Sequence, residues 1–221
     1  NRDILLERHA NAKKEANTVA KPKISIVIPT YQHLEDLLKP CLRSLAEYTD
    51  LTGVEVIVVA NGCTDGTEDY IKALGPTFRV ISFPDAIGYT RATNEGIKVS
   101  LGDHIIFLNN DTVMLPQPKN DWLAKLLSPF VGNPKMGITG PLQLHDDYAD
   151  EDVIIGFCLC ISRVALAAAG GLLDEIFSPG GGEDIDLCCK VRRAGFVVRQ
   201  VPNEGKLGYG HIEVIKAHEL H

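Results

Sequence analysis

Apolar positions along this chain follow two periods in turn. Ile24–Ile28, Val54–Val59, Arg79–Phe83 and His104–Leu108 are short runs rich in Val, Ile and Phe, the last a near-continuous apolar stretch. Such runs suit strands covered on both faces. Between them the period lengthens. Leu34, Leu37, Leu38, Cys41, Leu42 and Leu45 recur at helical spacing across 34–48, with Pro40 arguing for a kink or a break. Glu68–Leu74 and Thr90–Val99 read as further helices. Strands alternating with helices predict parallel βαβ units with right-handed crossovers, hence an α/β class with a mostly parallel, Rossmann-like central sheet between helical layers.

Past residue 111 the rhythm changes. Trp122–Phe130 reads as a helix, Gly137–Leu144 and Ile154–Ser162 as strands, and Arg163–Ala169 as a short helix. Ser178–Gly182 is too glycine-rich to be rigid. Glu183–Arg193 reads as a helix whose acidic start complements the helix dipole, and Val197–Val201 as a last strand. Trp122 has Leu123, Leu126 and Leu127 as helical neighbours and fits packing better than a sugar-stacking platform. Residues 1–22 form a polar lead-in, read as an arm or a linker from an upstream domain, and 23–221 as one domain.

Composition narrows the function. The chain has 221 residues, 45% hydrophobic and 23% charged, as ordinary globular proteins do. A net charge of −7 argues against nucleic-acid binding through a basic surface. A phosphate-bearing ligand would need a metal, helix amino ends or a few local Arg and Lys residues. No apolar run reaches the roughly 18–20 residues of a membrane span, and the charged first residues show no signal peptide. Six cysteines at 41, 63, 158, 160, 188 and 189 have neither zinc nor disulfide-framework spacing. Reduced buried thiols and a cytoplasmic location are the expectation.

The candidate chemistry begins where His104–Leu108 breaks into Asn109, Asn110 and Asp111. A carboxylate just past a central parallel strand sits where open α/β sheets bind ligands. Hard oxygen donors there suit Mg²⁺ or Mn²⁺ and, through the metal, a diphosphate; a plain turn is the competing reading. Glu183 and Asp184, read alone, are acids placed at a helix start.

IVIPTY, VVANGCTDGT, GYTRATNEGI, FLNNDT, GFCLCISR, GGLLDEIF and GGEDIDLCCKVRRAGF occur in this order from about Lys23 to Val201. In that order they resemble the inverting glycosyltransferases of the GT-A fold, family 2. FLNNDT is a form often seen in rhamnosyltransferase-like members. The resemblance implies a nucleotide-binding half, 23–111, and an acceptor-side half, 112–210. It implies nucleotide contacts from Pro29, Thr30, Tyr31, Asn61, Asp65, Arg91, Asn94, Asn109 and Asn110. The family's Asp-x-Asp metal motif falls on Asn109 to Asp111, so Asn109 replaces one carboxylate. Asp111 and His211 are the implied ligands of Mn²⁺ or Mg²⁺, Asp184 the implied base, and Glu183 its support. Gly180–Gly182 resemble a mobile lid, with a merely flexible surface loop as the alternative. The implied partners are a nucleotide-sugar donor, a glycan or other hydroxyl acceptor, and further domains of a longer polypeptide. A catalytically silent module of the same fold is the alternative to an enzyme.

Overall fold

The computed structural model describes residues 23–141, 153–201 and 214–216. The lead-in 1–22 and His211 lie outside the described residues. Seven strands form the main sheet: β1 (Ile24–Thr30), β2 (Val54–Asn61), β3 (Phe78–Phe83), β4 (His104–Leu108), β6 (Met136–Pro141), β7 (Cys158–Ser162) and β8 (Val197–Val201). Their order is β3-β2-β1-β4-β7-β6-β8. β1, β2, β3 and β4 are mutually parallel, as expected, and β8 runs parallel to β6. β7 alone reverses, antiparallel to both β4 and β6. A separate ribbon pairs β5 (Thr112–Met114) with β9 (Val214–Lys216).

Strand periodicity sorts the core into two layers. Ile26, Ile28, Val56, Val58, Ile106 and Leu108 face one side. There they meet α1 (Lys39–Tyr48), α2 (Thr67–Ala73) and α4 (Asp121–Leu127) through Leu42, Leu45, Ile71, Trp122 and Leu126. Val27, Ile57, Val59, Ile105 and Phe107 face the other side. There they meet α3 (Tyr89–Val99), α5 (Arg163–Ala168) and α6 (Glu183–Arg193) through Ala92, Ile97, Leu166, Leu187 and Val191. Gly96 lets α3 lie hard against the sheet, since a Cβ there would come within 2.3 Å of Val27 Cγ1. Trp122 is fully buried with its indole N–H donating to Thr49 Oγ1 at 3.0 Å, which settles it as core.

Two expectations shift. The helix over 34–48 divides into a π-helical turn, Leu34–Leu38, and α1, with Pro40 in the first turn of α1. Proline is tolerated there because a first-turn N–H has no intrahelical partner. The strand expected from Ile154 begins only at Cys158, since the N–H of Gly156 bonds to a side chain instead of a strand.

Candidate active site at the carboxyl edge of the sheet

β1, β2 and β4 all end at one edge, and the reversed β7 begins there. The ladder between β1 and β4 stops at Val27↔Phe107, while that between β1 and β2 continues to Thr30↔Ala60. Pro29, buried in this stretch, has no N–H with which to extend a ladder. Beyond it, the Asn110 amide donates to the Thr30 hydroxyl at 2.9 Å. Thr30 is buried, whereas the next residue, Tyr31, is 56% exposed. Tyr31 is therefore an aromatic face open to a planar ligand at the strand end.

The loop after β2 is tied down by the residues expected there. The Asn61 side-chain oxygen accepts from the Ile87 N–H at 2.7 Å. Asp65 accepts from the Leu34 N–H at 2.8 Å and from the Thr67 hydroxyl at 2.6 Å. Burial pushes the Asp65 carboxyl up, but the hydrogen bonds from Thr67 and Leu34 outweigh it and hold it below its ordinary value. Gln32 joins this loop to the β1 loop, donating to Gly62 O at 3.2 Å and accepting from the Thr64 N–H at 3.2 Å. Asn61 and Asp65 thus fix the loops at this edge.

Asn109 and Asp111 follow β4, both half-buried. The Asn109 side-chain oxygen is buried with no hydrogen-bond partner. A bare amide oxygen beside a carboxylate is a donor set that fits a hard cation able to keep water and phosphate oxygens as its other ligands. Among the described residues, no three His, Cys, Asp or Glu side chains gather as a metal cluster. The Cys41 thiol donates to Asn109 O at 3.7 Å, and burial, then the charge of Asp111, pushes it up to about 12.

Asp184 stands in the first turn of α6, half-buried, its Oδ2 accepting from the Gly156 N–H at 2.8 Å. The next residue, Phe157, accepts through its carbonyl from the Asn109 N–H at 2.9 Å and from the Thr112 hydroxyl at 3.4 Å. Gly156 and Phe157 therefore bridge the two candidate carboxylate sites. Glu183 is buried, and its Oε2 accepts from the Gly181 N–H at 2.5 Å, so it fastens the glycine loop beside Asp184.

Residues 173–182 are fixed to α3 rather than hanging free. Asn94, implied as a nucleotide contact, is fully buried. Its amide donates to Leu173 O at 3.0 Å and its oxygen accepts from the Leu173 N–H at 2.9 Å. Asn94 thus ties α3 to the segment that leads into the glycine loop. Arg91, exposed, pairs with Glu175 at 3.2 Å. The first amides of α3, from Tyr89 and Thr90, donate to Pro179 O at 2.5 and 3.3 Å. Gly88 permits this approach, since a Cβ there would lie 2.8 Å from Pro179 Cα. Such an amino end would otherwise invite an anion; here the chain's own carbonyl occupies it. The lid expected at Gly180–Gly182 is anchored at both flanks, by Pro179 and by Glu183. Sequence reasoning missed Gly156 and Pro179, although both lie inside or beside the matched stretches.

The fold and sequence have known counterparts. A mannosyltransferase of Pyrobaculum calidifontis, solved with GDP-Man and Mn²⁺, superposes with a TM-score of 0.66 at 19% identity, covering 92% of this chain and 66% of that one. The pre-mycofactocin glycosyltransferase of Mycobacterium tuberculosis is 27% identical over 220 residues, covering 84% of this chain and 44% of its own. An N-acetylglucosaminyltransferase of Bradyrhizobium elkanii is 27% identical over 118 residues, covering 52% of this chain and 65% of its own. The chain spans 23% to 65% of the length of curated relatives such as these. The model of glycosyl transferase family 2 matches residues 25–154 of the 221. With its GT-A sheet and the family's signature through more than half its length, the chain belongs to glycosyl transferase family 2.

Proposed function

We propose that the chain transfers a sugar from a nucleotide-diphosphate donor to an acceptor hydroxyl, inverting the anomeric centre. The observation that carries the reading is the Gly156–Phe157 bridge. It ties Asp184 to the Asn109–Asp111 stretch through hydrogen bonds of 2.8 and 2.9 Å. Asp184 takes the acceptor proton as the acceptor oxygen bonds to the anomeric carbon, and the bond from that carbon to the diphosphate oxygen breaks on the opposite face. The Gly156 N–H keeps the carboxylate aimed while it works. Tyr31 stacks on the base, and Asn61 and Asp65 hold the loop that borders it.

Asp111 and the Asn109 oxygen would hold Mn²⁺ or Mg²⁺, with His211 as the further ligand that the resemblance implies. A bound divalent cation supplies positive charge for the departing diphosphate. The occupied amino end of α3 supports this assignment, because that usual anion site is filled by Pro179 O. The sugars named for relatives and neighbours differ, so the nucleobase is tested directly. UDP, dTDP, GDP and CDP are each added with Mn²⁺, with Mg²⁺ and with EDTA, and the melting temperature is read. One nucleotide should raise it in a metal-dependent way by mass action. No shift with any of them overturns the donor reading. Asn109 in place of a carboxylate favours a second reading, a silent nucleotide- or partner-binding module. A metal-dependent shift without turnover of UDP-GlcNAc, GDP-mannose or dTDP-rhamnose with any acceptor would select it.

A further inference from the structure

The charges of all three carboxylates of the site reach the phenol of Tyr89. Tyr89 opens α3 and is half-buried. Its hydroxyl lies 3.5 Å from Gly156 O, at the outer limit of a hydrogen bond, and neighbours the Thr93 hydroxyl. Gly156 is the residue whose N–H holds Asp184, and a Cβ built on it would lie 3.4 Å from Asp184 Cβ and 3.7 Å from the Tyr89 hydroxyl. Burial is the largest cause raising the phenol's pKa, and the charges of Glu183, Asp184 and Asp111 push the same way. The hydroxyl is thus a neutral group with a weakly used proton, set among acceptors at both ends of the site.

We infer that Tyr89 is a donor-sugar contact whose hydroxyl bonds a hydroxyl of the sugar being transferred. The inference rests on the reading above, in which the diphosphate lies toward Asp111 and the acceptor toward Asp184. The sugar ring then occupies the interval, and inversion requires it to present opposite faces to the two. Carboxylates alone can only accept hydrogen bonds from a sugar. A phenol both donates and accepts, so it can engage a ring hydroxyl without adding a fourth negative charge near the diphosphate. The Tyr89 ring has a separate duty. A Cβ at Gly180 would lie 3.2 Å from Tyr89 Cβ, so the residue backs the segment that carries Glu183 and Asp184.

Tyr89→Phe separates the two duties, keeping the ring and removing only the hydroxyl. The test titrates wild type and variant with UDP, GDP and dTDP, and with UDP-GlcNAc, GDP-mannose and dTDP-rhamnose, all with Mn²⁺. In the variant, affinity for the sugar nucleotide that wild type binds should fall roughly tenfold, as for one lost hydrogen bond to a buried partner. Affinity for the matching nucleotide without sugar should stay within about twofold. Equal losses for both ligands, or no loss for either, would overturn the sugar contact while leaving the donor reading intact. If wild type bound none of the six, the donor reading would fall and this assignment with it. A melting temperature matching wild type, measured alongside, shows that the variant is folded.

Discussion

The two edges of the main sheet use polar groups in opposite ways. At the amino edge, Glu55 is buried and fully engaged. One oxygen accepts from the Ser25 hydroxyl and the Leu101 N–H, both at 2.6 Å, and the other from Arg79 at 2.8 Å. Ser25 in turn accepts from the Gly102 N–H at 2.8 Å, and Arg163 donates to Gly102 O at 2.7 Å and to Ser100 O at 3.0 Å. This network closes on itself and clamps the turn between α3 and β4. At the carboxyl edge the Asn109 oxygen and the Thr90 hydroxyl are buried without partners, and Tyr31 faces solvent. Leaving a buried polar atom unpaired costs about 1–3 kcal/mol. A fold that closes one edge and leaves the other incomplete separates the work of staying folded from the work of binding.

Substitutions at the two edges should therefore fail in different assays. Asp184→Asn should lower transfer by about 10²–10⁴-fold, the usual worth of a positioned base, while nucleotide affinity and melting temperature stay near wild type. Full activity in that variant would remove Asp184 from the mechanism. Glu55→Ala should do the reverse. It strands the Ser25 hydroxyl and the Leu101 N–H, for a loss on the order of 3 kcal/mol in urea unfolding. Rate per folded molecule at low temperature should be unchanged. A variant at either edge that moved both quantities together would break the division.

A finer effect probes the loop after β2, which Asp65 holds in place. The folded Asp65 carboxyl titrates below its ordinary 3.8, so its hydrogen bonds stabilise the fold fully above that pH. They are lost as pH falls through the lower folded value. The stability gap between wild type and Asp65→Asn should accordingly be constant near neutrality and shrink only below pH 3.8. A gap that narrowed between pH 5 and 7 would mean that Asp65 is not the group holding Leu34 and Thr67.

Much of the fold was legible because periodicity is local. The apolar runs of β1, β2 and β4 announced buried parallel strands, and the break at Asn109–Asp111 fell at the carboxyl edge where those strands end. Pro40 foretold the division before α1. Pairing over long separations left no such mark. The local motif around Asn94 gave no sign of its partner Leu173, which is 79 positions away. Glu55 carried no signal of its role in the sequence; only the fold brings Ser25, Leu101 and Arg79 around it. Gly156 sat inside an apolar run that reads as continuous strand. Its N–H is withdrawn from the sheet by Asp184, which no pattern of apolar residues predicts.

The reversal of β7 has a consequence for how such a chain can diversify. β6 leaves the sheet at the edge that carries Asp111 and Asp184, and β7 re-enters at that same edge. A connection of any length between them returns to its starting side without crossing the sheet. Closing a longer connection costs little, about 0.6 kcal/mol per doubling of length. Insertions between Pro141 and Cys158 can therefore be sampled by evolution, or grafted by design, beside Asp111 and Asp184, while strand order and the Glu55 clamp stay as they are.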